Sequence, residues 1–313
     1  MTQEPIVLQN LTKDYGKGFR AVDDLTLSVK PGSFVGFLGP NGAGKTTTIK
    51  MLTNLLTVTS GHAYLNGIDV STNPKSALGG IGAVVETPEF YPFLTPNETL
   101  EYLGAIRGMP KAEVKRRSKE VLELVKMTEW SSVRIGKFSK GMKQRIALAQ
   151  ALLHEPTIVI LDEPTSGLDP RGMVEVREVL KELKKQQYTV FMSSHLLNEI
   201  QEVCSEAALI DHGKLMAYDS VSNLSAKIDS KKLEVRIADQ VRGEAMDKLR
   251  EFQGVRLLNI VNEQQFFIDF TGDEQAQADL LLKIQGLGYR VVSFKESGVA
   301  LENLYMSLIK SSR

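Results

Sequence analysis

The pattern of apolar and polar positions changes character along the chain. Short apolar runs that contain β-branched residues occur near its start and again after residue 156, at 6–8, 25–29, 34–38, 157–161, 188–192 and 207–210. Runs of this kind are typical of parallel strands that are buried on both faces, and helical spacing separates several of them. Residues 61–67 indicate a further strand and a tight turn. The first part of the chain is therefore predicted to form an α/β core.

A helical segment is predicted to interrupt this core. Apolar positions between Leu100 and Ile106 fall on one helical face. The preceding break, residues 87–96, contains three prolines, which disfavour regular structure there. The basic run 115–117 within the segment is most simply a solvated helix face, and contact with a partner is the alternative. We place the helical segment at about residues 97–153.

A second composition begins near Ser220. Its segments alternate between strand-like and helix-like patterns, in the order 233–237, 242–252, 255–261, 265–270, 275–286, 290–294 and 300–309. The order β-α-β-β-α-β, followed by a last helix, predicts a small α+β domain, with ferredoxin-like topology as one arrangement. We therefore divide the chain into residues 1–222 and 223–313. The second part contains no motif that we can assign to chemistry.

Composition and charge argue against several classes of protein. The 313 residues are enough for two domains, and 38 Lys and Arg balance 38 Asp and Glu, which argues against a dedicated nucleic-acid-binding protein. The single cysteine, Cys204, rules out an intramolecular disulfide and is expected to be a small packed hydrophobe. No stretch approaches the roughly 18 apolar residues of a membrane-spanning helix, and residues 1–5 lack the layout of a signal peptide. We expect a cytoplasmic protein without direct membrane insertion.

A glycine-rich loop is the strongest candidate for chemistry. Residues 39–46 read GPNGAGKT and match G-x-x-x-x-G-K-[ST] in full, between an apolar run and a helical one. Glycines allow successive backbone N–H groups to converge on an anion, and the following helix adds its positive N-terminal end. In this pattern Lys45 reaches the β- and γ-phosphates, and the Thr46 hydroxyl holds Mg²⁺. The chain is therefore predicted to bind a nucleoside triphosphate.

Two further sites narrow this chemistry. The apolar run 158–161 ends in Asp162 and Glu163, and the alternation of side chains along a strand allows the two carboxylates different tasks. Asp162 is then placed to hold Mg²⁺, and Glu163 to face the water that attacks the γ-phosphate. Ser139 precedes a helical run and offers a hydroxyl and backbone N–H groups at a helix start. Taken alone, Ser139 is more simply explained as a plain N-cap.

Taken together, these motifs resemble the ATP-binding subunit of an ABC transporter over residues 5–220. The corresponding segments are the Walker A loop at 39–46, the signature at 138–144, Walker B at 158–162, the D-loop at 166–169 and the switch histidine at 195. The resemblance implies a P-loop NTPase core with an ABC-type helical subdomain. No [NT]-K-x-D motif for reading guanine is present in the sequence. ATP with Mg²⁺ is therefore the expected ligand.

The resemblance also implies roles for individual residues. The implied catalytic residues are Glu163, His195 and Lys45. The residues implied to contact ATP are Tyr15, Gly39, Pro40, Asn41, Gly42, Ala43, Gly44, Lys45, Thr46 and Thr47. Those implied to act in trans on the nucleotide of a partner subunit are Ser139, Lys140, Gly141 and Met142, and the D-loop contributes Ser166 and Asp169. The implied Mg²⁺ ligands are Thr46, Asp162 and Glu86.

The chain departs from the family pattern at two positions. Glu86 stands where the family usually has a glutamine that contacts Mg²⁺ or the attacking water and senses the membrane partner. A carboxylate there can bind metal, but it repels a nearby γ-phosphate. A local misalignment is the alternative explanation. Lys140 stands where the signature commonly has glycine, which adds a cation near the expected phosphate and keeps Ser139 and Gly141.

The resemblance implies an ATPase subunit that works with two kinds of partner. One is a second ATPase subunit, either a copy or a related chain, and the other is a membrane-spanning permease reached from the cytoplasmic face of the membrane. The single-domain layout, Glu86 and the C-terminal part resemble subunits that export drugs, peptides or similar cargo.

Two alternatives are a non-transport ABC protein of the translation or DNA-repair type and a non-hydrolysing binding module. The sequence shows neither a second ATPase domain nor a long coiled-coil insert, which argues against the first. The second is disfavoured because Lys45, Asp162, Glu163 and His195 are all present.

Overall fold

The computed structural model describes residues 4–16, 18–226 and 231–296. The chain divides into two compact units, Met1–Ser220 and Val221–Arg313, so the boundary lies two residues before the predicted one. The helix predicted at 300–309 lies outside the described residues. None of the described helices is both long enough and apolar enough to cross a membrane.

The first unit contains two sheets and several helices. Its strands are β1 (Ile6–Asp14), β2 (Arg20–Val29), β3 (Phe34–Leu38), β4 (Ser60–Leu65), β5 (Ile68–Asp69), β6 (Ile81–Val84), β7 (Ile158–Leu161), β8 (Thr189–Ser194), β9 (Glu206–Asp211) and β10 (Lys214–Ser220). Its helices are α1 (Lys45–Leu52), α2 (Pro74–Gly79), α3 (Pro96–Ile106), α4 (Lys111–Leu124), α5 (Lys140–Leu152), α6 (Pro170–Lys185) and α7 (Leu197–Val203). The predicted α/β character of this part of the chain is confirmed.

The larger sheet carries the glycine loop. Its strand order is β10-β9-β3-β8-β7-β6, and the strands from β9 to β6 are parallel. Strands β3, β7 and β8 are buried along their whole length, as expected for strands covered on both faces. The carboxyl ends of parallel strands meet at one edge of a sheet. The segments that follow β3, β7 and β8 therefore converge at that edge.

The smaller sheet is antiparallel and has the order β2-β1-β4-β5. Strands β1 and β2 are longer than the apolar runs that predicted them, because pairing continues through polar residues as far as Asp14 and Arg20. The sequence analysis assigned no strand at β6 or β10. The short β6 contains Gly82, where a Cβ would lie 2.1 Å from the carbonyl oxygen of Ala151 in α5. This close approach explains a glycine in a strand that periodicity alone does not reveal.

A close contact between β3 and α7 organises the core of the first unit. A Cβ at Gly36 of β3 would lie 2.4 Å from Ile200 Cδ1 of α7, so any larger residue would displace the side chains that pack here. The ring centroids of Phe37 on β3 and Phe191 on the neighbouring strand β8 are 5.2 Å apart. Cys204 at the end of α7 is buried, as expected for a packed hydrophobe, and burial raises the pKa of its thiol. Helix α7 therefore packs closely against the larger sheet.

The helical segment between β6 and β7 consists of α3, α4 and α5. Thr95 and Glu98 form a capping box at the start of α3. The basic run of α4 is solvated only in part, because Arg117 is buried. Its guanidinium donates to the carbonyl oxygens of Leu152 and Leu153, at 3.0 and 3.2 Å. The prediction of a solvated face is thus wrong for Arg117, since the last turn of α5 leaves carbonyl groups that a buried cation can satisfy.

A half-buried histidine follows α5. His154 Nε2 lies 3.1 Å from the carbonyl oxygen of Ile81, and Nδ1 has no hydrogen-bond partner among the described residues. Burial, with a smaller contribution from Arg107, lowers the pKa of His154 from 6.5 to about 4. Below pH 6.5 the imidazole of His154 becomes protonated in the unfolded chain, whereas in the folded chain it stays neutral down to about pH 4. The free energy of unfolding therefore falls as the pH is lowered through this window.

We expect the His154→Gln variant to lose less stability than the wild type when the pH falls from 6.5 to about 4. Thermal unfolding at a series of pH values measures the two slopes. Equal slopes for the wild type and His154→Gln would contradict the assignment of this linkage to His154.

The second unit consists of one antiparallel sheet and helices. Its elements are α8 (Val221–Ala226), β11 (Lys231–Ile237), α9 (Gly243–Arg250), β12 (Val255–Asn262), β13 (Gln265–Phe270), α10 (Glu274–Gly286) and β14 (Val291–Glu296). The strand order is β12-β13-β11-β14. From β11 onward the elements follow the predicted order β-α-β-β-α-β. The first and third strands are neighbours, as in a split β-α-β unit, and alternate residues such as Val235 and Ile268 form the core.

Candidate functional site

The glycine loop lies between β3 and α1. Gly44, directly before α1, has φ = +104°, and a Cβ there would lie 2.4 Å from the carbonyl oxygen of Ala21. Both the backbone and the available space therefore require glycine. Lys45 is buried, and its Nζ donates to the carbonyl oxygens of Gly39 and Pro40 at 2.8 and 3.1 Å. These bonds hold the ammonium group against the loop.

Asp162 follows β7 at the same edge of the sheet and is buried. Its Oδ1 accepts hydrogen bonds from Thr46 Oγ1 at 3.2 Å and from Ser193 Oγ at 2.6 Å. Thr46 and Asp162 thus place a hydroxyl oxygen beside a carboxylate oxygen. Mg²⁺ is held in proteins by hard oxygen donors of this kind, together with substrate phosphates. The donor set fits the predicted Mg²⁺ site.

Glu163 lies between two basic side chains. Its backbone has φ = +47°, and its N–H donates to Ser193 Oγ at 2.9 Å. Its Oε1 lies 3.2 Å from Lys45 Nζ, and its Oε2 lies 2.6 Å from His195 Nδ1. The two adjacent carboxylates therefore have separate partners. Glu163 therefore contacts both of the other predicted catalytic residues, Lys45 and His195, which come from separate parts of the chain.

A cavity of about 450 Å³ lies over the glycine loop. Its lining residues are Phe19, Ala21, Asn41, Gly42, Gly44, Lys45, Thr46, Thr47, Glu163, Ser166 and His195. Four of the predicted ATP-contacting residues, Tyr15, Gly39, Pro40 and Ala43, are not among them. The carbonyl groups of Gly39 and Pro40 bind Lys45 instead, and Ala43 is buried. The cavity nevertheless joins most of the loop to Glu163 and His195.

Tyr15, predicted to contact ATP, lies between β1 and β2 and is half exposed. Its ring stacks on Phe19 with a centroid distance of 6.0 Å and an angle of 27°, and Lys13 Nζ lies 5.4 Å from its centre. Of the two rings, Phe19 is the one that lines the cavity over the loop. The sequence analysis missed Phe19. An aromatic residue four positions after Tyr15 was the available signal.

Glu86 follows β6, has φ = +63° and pairs with Lys50 of α1. The hydrogen bond to Glu86 raises the pKa of the Lys50 ammonium group. Glu86 shares a second cavity, of about 770 Å³, with Asp162 and Glu163. Its carboxylate is therefore balanced by an ammonium group on the helix that follows the glycine loop. The role of Glu86 as a Mg²⁺ ligand stays a prediction.

The signature and the D-loop each begin a helix. Ser139 caps α5, where its Oγ accepts a hydrogen bond from the N–H of Met142 at 3.2 Å. Asp169 caps α6 in the same way, accepting from the N–H of Gly172 at 3.2 Å. A Cβ at Gly141 would lie 3.0 Å from the Cα of Gly172. The two helices are therefore in close contact at their N-terminal ends.

The signature residues stand apart from the cavity over the glycine loop. In the part of the chain that the structure describes, none of the four lines that cavity, whereas Lys140 lines the larger one beside Glu86. Ser166 of the D-loop lines both cavities, and its N–H donates to the carbonyl oxygen of Glu163 at 3.0 Å. One chain thus brings the catalytic residues to the glycine loop without the signature.

The sequence analysis missed two residues that hold this site together, Ser193 and Lys50. Ser193 bonds to both Asp162 and the backbone of Glu163, and its position at the end of a buried strand, two residues before His195, was the available signal. Lys50 belongs to no motif. Its contact with Glu86 follows only from the placement of α1 beside the end of β6.

Comparison with known proteins identifies relatives of this arrangement. A family model described as ABC transporter matches residues 22–166. The bacitracin transport ATP-binding protein BcrA of Bacillus licheniformis is 44% identical over 232 residues, which are 74% of this chain and 74% of that protein. The linearmycin resistance ATP-binding protein LnrL of Bacillus subtilis (strain 168) is 32% identical over 302 residues, or 96% of each chain. The likeness to LnrL thus extends into the second unit.

Solved structures show the same likeness. A dimeric structure of MJ0796, a bacterial ABC transporter cassette, is 26% identical with a TM-score of 0.61, over 69% of this chain and 98% of that one. The structure of an ATP-binding subunit of an ABC transporter is 29% identical with a TM-score of 0.63, over 71% of this chain and 92% of that one.

Proposed function

This chain belongs to the family of ABC transporter ATP-binding proteins, and we propose that it hydrolyses ATP to power a separate membrane permease that exports a drug, a peptide or a similar cargo. Membership establishes a nucleotide-binding P-loop fold. One observation carries the proposed hydrolysis: Glu163 is held between Lys45 and His195. A carboxylate that orients water and cations that stabilise transferred charge are what phosphoryl transfer requires.

In the proposed reaction Lys45 changes partners when nucleotide binds. Its ammonium group now faces Glu163 as well as the loop carbonyls. Phosphate oxygens that enter the loop take the place of Glu163 beside Lys45, since they carry more negative charge. Glu163 is then free to accept a hydrogen bond and a proton from the attacking water.

His195 and the Thr46–Asp162 pair complete the proposed site. His195 Nδ1 faces Glu163, so its Nε2 is left for a γ-phosphate oxygen, to which it donates when the ring is protonated. Thr46 and Asp162 would hold Mg²⁺, which neutralises charge on the β- and γ-phosphates when bound. The protein groups thus orient the water and hold the phosphates. Ser193 fixes the positions of the two carboxylate residues by bonding to the Asp162 side chain and the Glu163 backbone.

We also propose that two ATPase subunits act together, head to tail. The signature does not line the glycine-loop cavity among the described residues, so it is available to the nucleotide of a partner subunit. The N-terminus of α5, with Ser139 as its cap, is suited to phosphate. The related cassette MJ0796 has been solved as a dimer. The partner is a second copy of this chain or a related subunit.

An exposed aromatic cluster provides a surface for the proposed permease. Tyr91 lies 5.6 Å from Phe93 and 6.2 Å from Tyr102, and all three rings are about half exposed or more. The cluster follows the segment that contains Glu86. Exposed aromatic groups of this kind mark interaction sites, and a short cytoplasmic helix of a permease would cover them. We propose that the chain works at the cytoplasmic face of the membrane, where it would meet such a helix.

The proposed class of cargo rests on relatives. One is a bacitracin transport protein and another a linearmycin resistance protein, which supports a drug or peptide as cargo and export as the direction. The likeness to LnrL spans nearly the whole chain, second unit included. The permease is expected to choose the cargo, so the ATPase subunit limits the cargo only to a class.

The partnership is tested by purifying a tagged Glu163→Gln chain from detergent-solubilised native cells in the presence of ATP. We expect a polytopic membrane protein in stoichiometric amount, identified by mass spectrometry. Adding Phe93→Ala should reduce its recovery, whereas Leu55→Ala, at another exposed apolar position, should not. Recovery of soluble partners, ribosomes or DNA alone would contradict the transport role and leave the ATPase assignment standing.

The pairing of Glu86 with Lys50 gives a further prediction. We expect Lys50→Met to raise the KM for ATP about two- to fivefold, because the Glu86 carboxylate then repels the γ-phosphate without compensation. Adding Glu86→Gln should bring KM back towards the wild-type value, since it removes the unbalanced charge. Steady-state ATPase assays of the single and double variants measure this. Simple addition of the two effects would contradict a compensating role for Lys50.

A further inference from the structure

Glu199 of α7 carries a buried carboxylate that the proposed reaction does not use. Only 4% of its surface is exposed. Its Oε1 accepts a hydrogen bond from Thr165 Oγ1, and its Oε2 accepts one from Ser194 Oγ at 2.8 Å. Within the described ranges, these two hydroxyl groups are the donors to the carboxylate, and no ion pair involves it. Glu199 therefore joins two segments that are distant in sequence.

Both segments adjoin the proposed catalytic residues. Thr165 directly precedes the D-loop, residues 166–169, and is almost completely buried. Ser194 directly precedes His195 and is fully buried. The carboxylate of Glu199 consequently connects the start of the D-loop to the residue that carries the histidine.

The last two residues of strand β8, Ser193 and Ser194, form hydrogen bonds with different partners. Ser193 Oγ donates to Asp162 Oδ1 and accepts from the N–H of Glu163. Ser194 Oγ donates instead to Glu199 Oε2. Successive residues of a strand point to opposite faces, so this division follows from the strand itself. One face of β8 orders the two carboxylates after β7, and the other binds α7.

Burying a carboxylate with hydroxyl donors alone costs stability. Removing a charged group from water is expensive, and an apolar side chain of similar volume is often neutral or stabilising at such a position. The stability of α7 is therefore a poor reason for a glutamate here. What Glu199 supplies is a defined position for the two hydroxyl groups.

We propose that Glu199 is a positioning residue that fixes His195 and the D-loop relative to Glu163. The inference rests on the proposed function, because it assigns a role within ATP hydrolysis. The D-loop leads into α6, whose Gly172 packs against Gly141 of the signature. The same pair of hydrogen bonds therefore connects His195 to the segment proposed to bind the partner's nucleotide.

Two substitutions at Thr165 separate this role from packing. Thr165→Val removes the hydroxyl and keeps the shape, whereas Thr165→Ser keeps the hydroxyl. We expect Thr165→Val to lower kcat for ATP about tenfold with KM within about twofold of the wild type. Thr165→Ser should retain most of the wild-type kcat. The assays use the full-length chain, with thermal unfolding to show that each variant is folded.

Substitution of Glu199 itself provides a second test of the proposal. Glu199→Gln keeps the shape, but its NH2 group replaces one carboxylate oxygen and cannot accept a hydrogen bond, so one of the two hydroxyl groups loses its acceptor. We expect this variant to lower kcat by a similar factor. Combining it with Thr165→Val should lower kcat little further, because both changes break one network. Glu202→Gln, on the exposed side of the same helix where it pairs with Arg177, is the matched control and should leave kcat unchanged.

Three results would overturn the inference and leave the proposed hydrolysis intact. They are a wild-type kcat in Thr165→Val, an equal loss of kcat in Thr165→Ser, and simple addition of the Thr165 and Glu199 effects. A wild-type chain that binds ATP without turning it over would instead contradict the proposed function, and the inference would fail with it.

Discussion

Glu163→Gln is expected to lower kcat for ATP by about 10²- to 10⁴-fold while the chain still binds ATP. Glutamine keeps the shape of the side chain and its contact with His195, but it cannot accept a proton from the attacking water. It also removes the negative charge that faces Lys45 at 3.2 Å in the wild type. Nucleotide binding should therefore be unchanged or tighter.

Phosphate release from purified protein measures this turnover, and a fluorescent ATP analogue measures the affinity. Light scattering with ATP should show a stable dimer of the Glu163→Gln chain, because ATP that is not hydrolysed cannot release the two subunits. Glu178→Gln is the matched control, since Glu178 is exposed and pairs with Lys126 on the surface. Turnover by Glu163→Gln within tenfold of the wild type would rule out Glu163 as the proposed base.

Lys45→Met is expected to raise the Kd for ATP about ten- to a hundredfold. Hydrogen bonds to charged groups contribute about 1.5–3 kcal/mol each, and each 1.4 kcal/mol is about a factor of ten in affinity. The effect should be large because Lys45 is buried and its Nζ is already held against the loop by Gly39 and Pro40. A flexible surface lysine would lose more entropy on binding.

Isothermal titration with ATP and Mg²⁺ measures this loss. Methionine keeps the aliphatic stem of Lys45, and thermal unfolding shows whether the variant is folded. Lys75→Met, at an exposed position of α2, controls for the loss of one positive charge and should bind ATP as the wild type does. A Kd for Lys45→Met within threefold of the wild type would contradict the assignment of Lys45 to the phosphates.

The glycine loop and the carboxylates after β7 could be predicted because their geometry is encoded locally. Gly44 needs a positive φ, and an eight-residue motif followed by a helix leaves few other conformations. The apolar runs of β3, β7 and β8 identified buried strands for the same reason. Strand β10 was missed because its mixed sequence resembles that of a loop. In the described part of the chain it is an edge strand that pairs with β9.

The ion-pair and hydrogen-bond partners of these residues could not be predicted from the sequence in the same way. Glu86 and Lys50 are 36 positions apart, and their pairing depends on α1 lying beside the end of β6. Arg117 belongs to a run of three basic residues, yet it alone turns inward to the carbonyl groups at the end of α5. Neither contact has a sequence pattern, because each depends on which elements become neighbours.

By itself, the sequence determined the phosphate-binding loop, the two carboxylates and the family resemblance, since each depends on residues that are consecutive or occur in a fixed order. The tertiary structure alone decided that Glu163 sits between Lys45 and His195, that Ser193 holds Asp162, and that Glu199 links two distant segments. Parallel strands bring their carboxyl ends to one edge, where residues far apart in the chain become hydrogen-bond partners. Burial then makes each unpaired polar group costly, so packing selects these contacts.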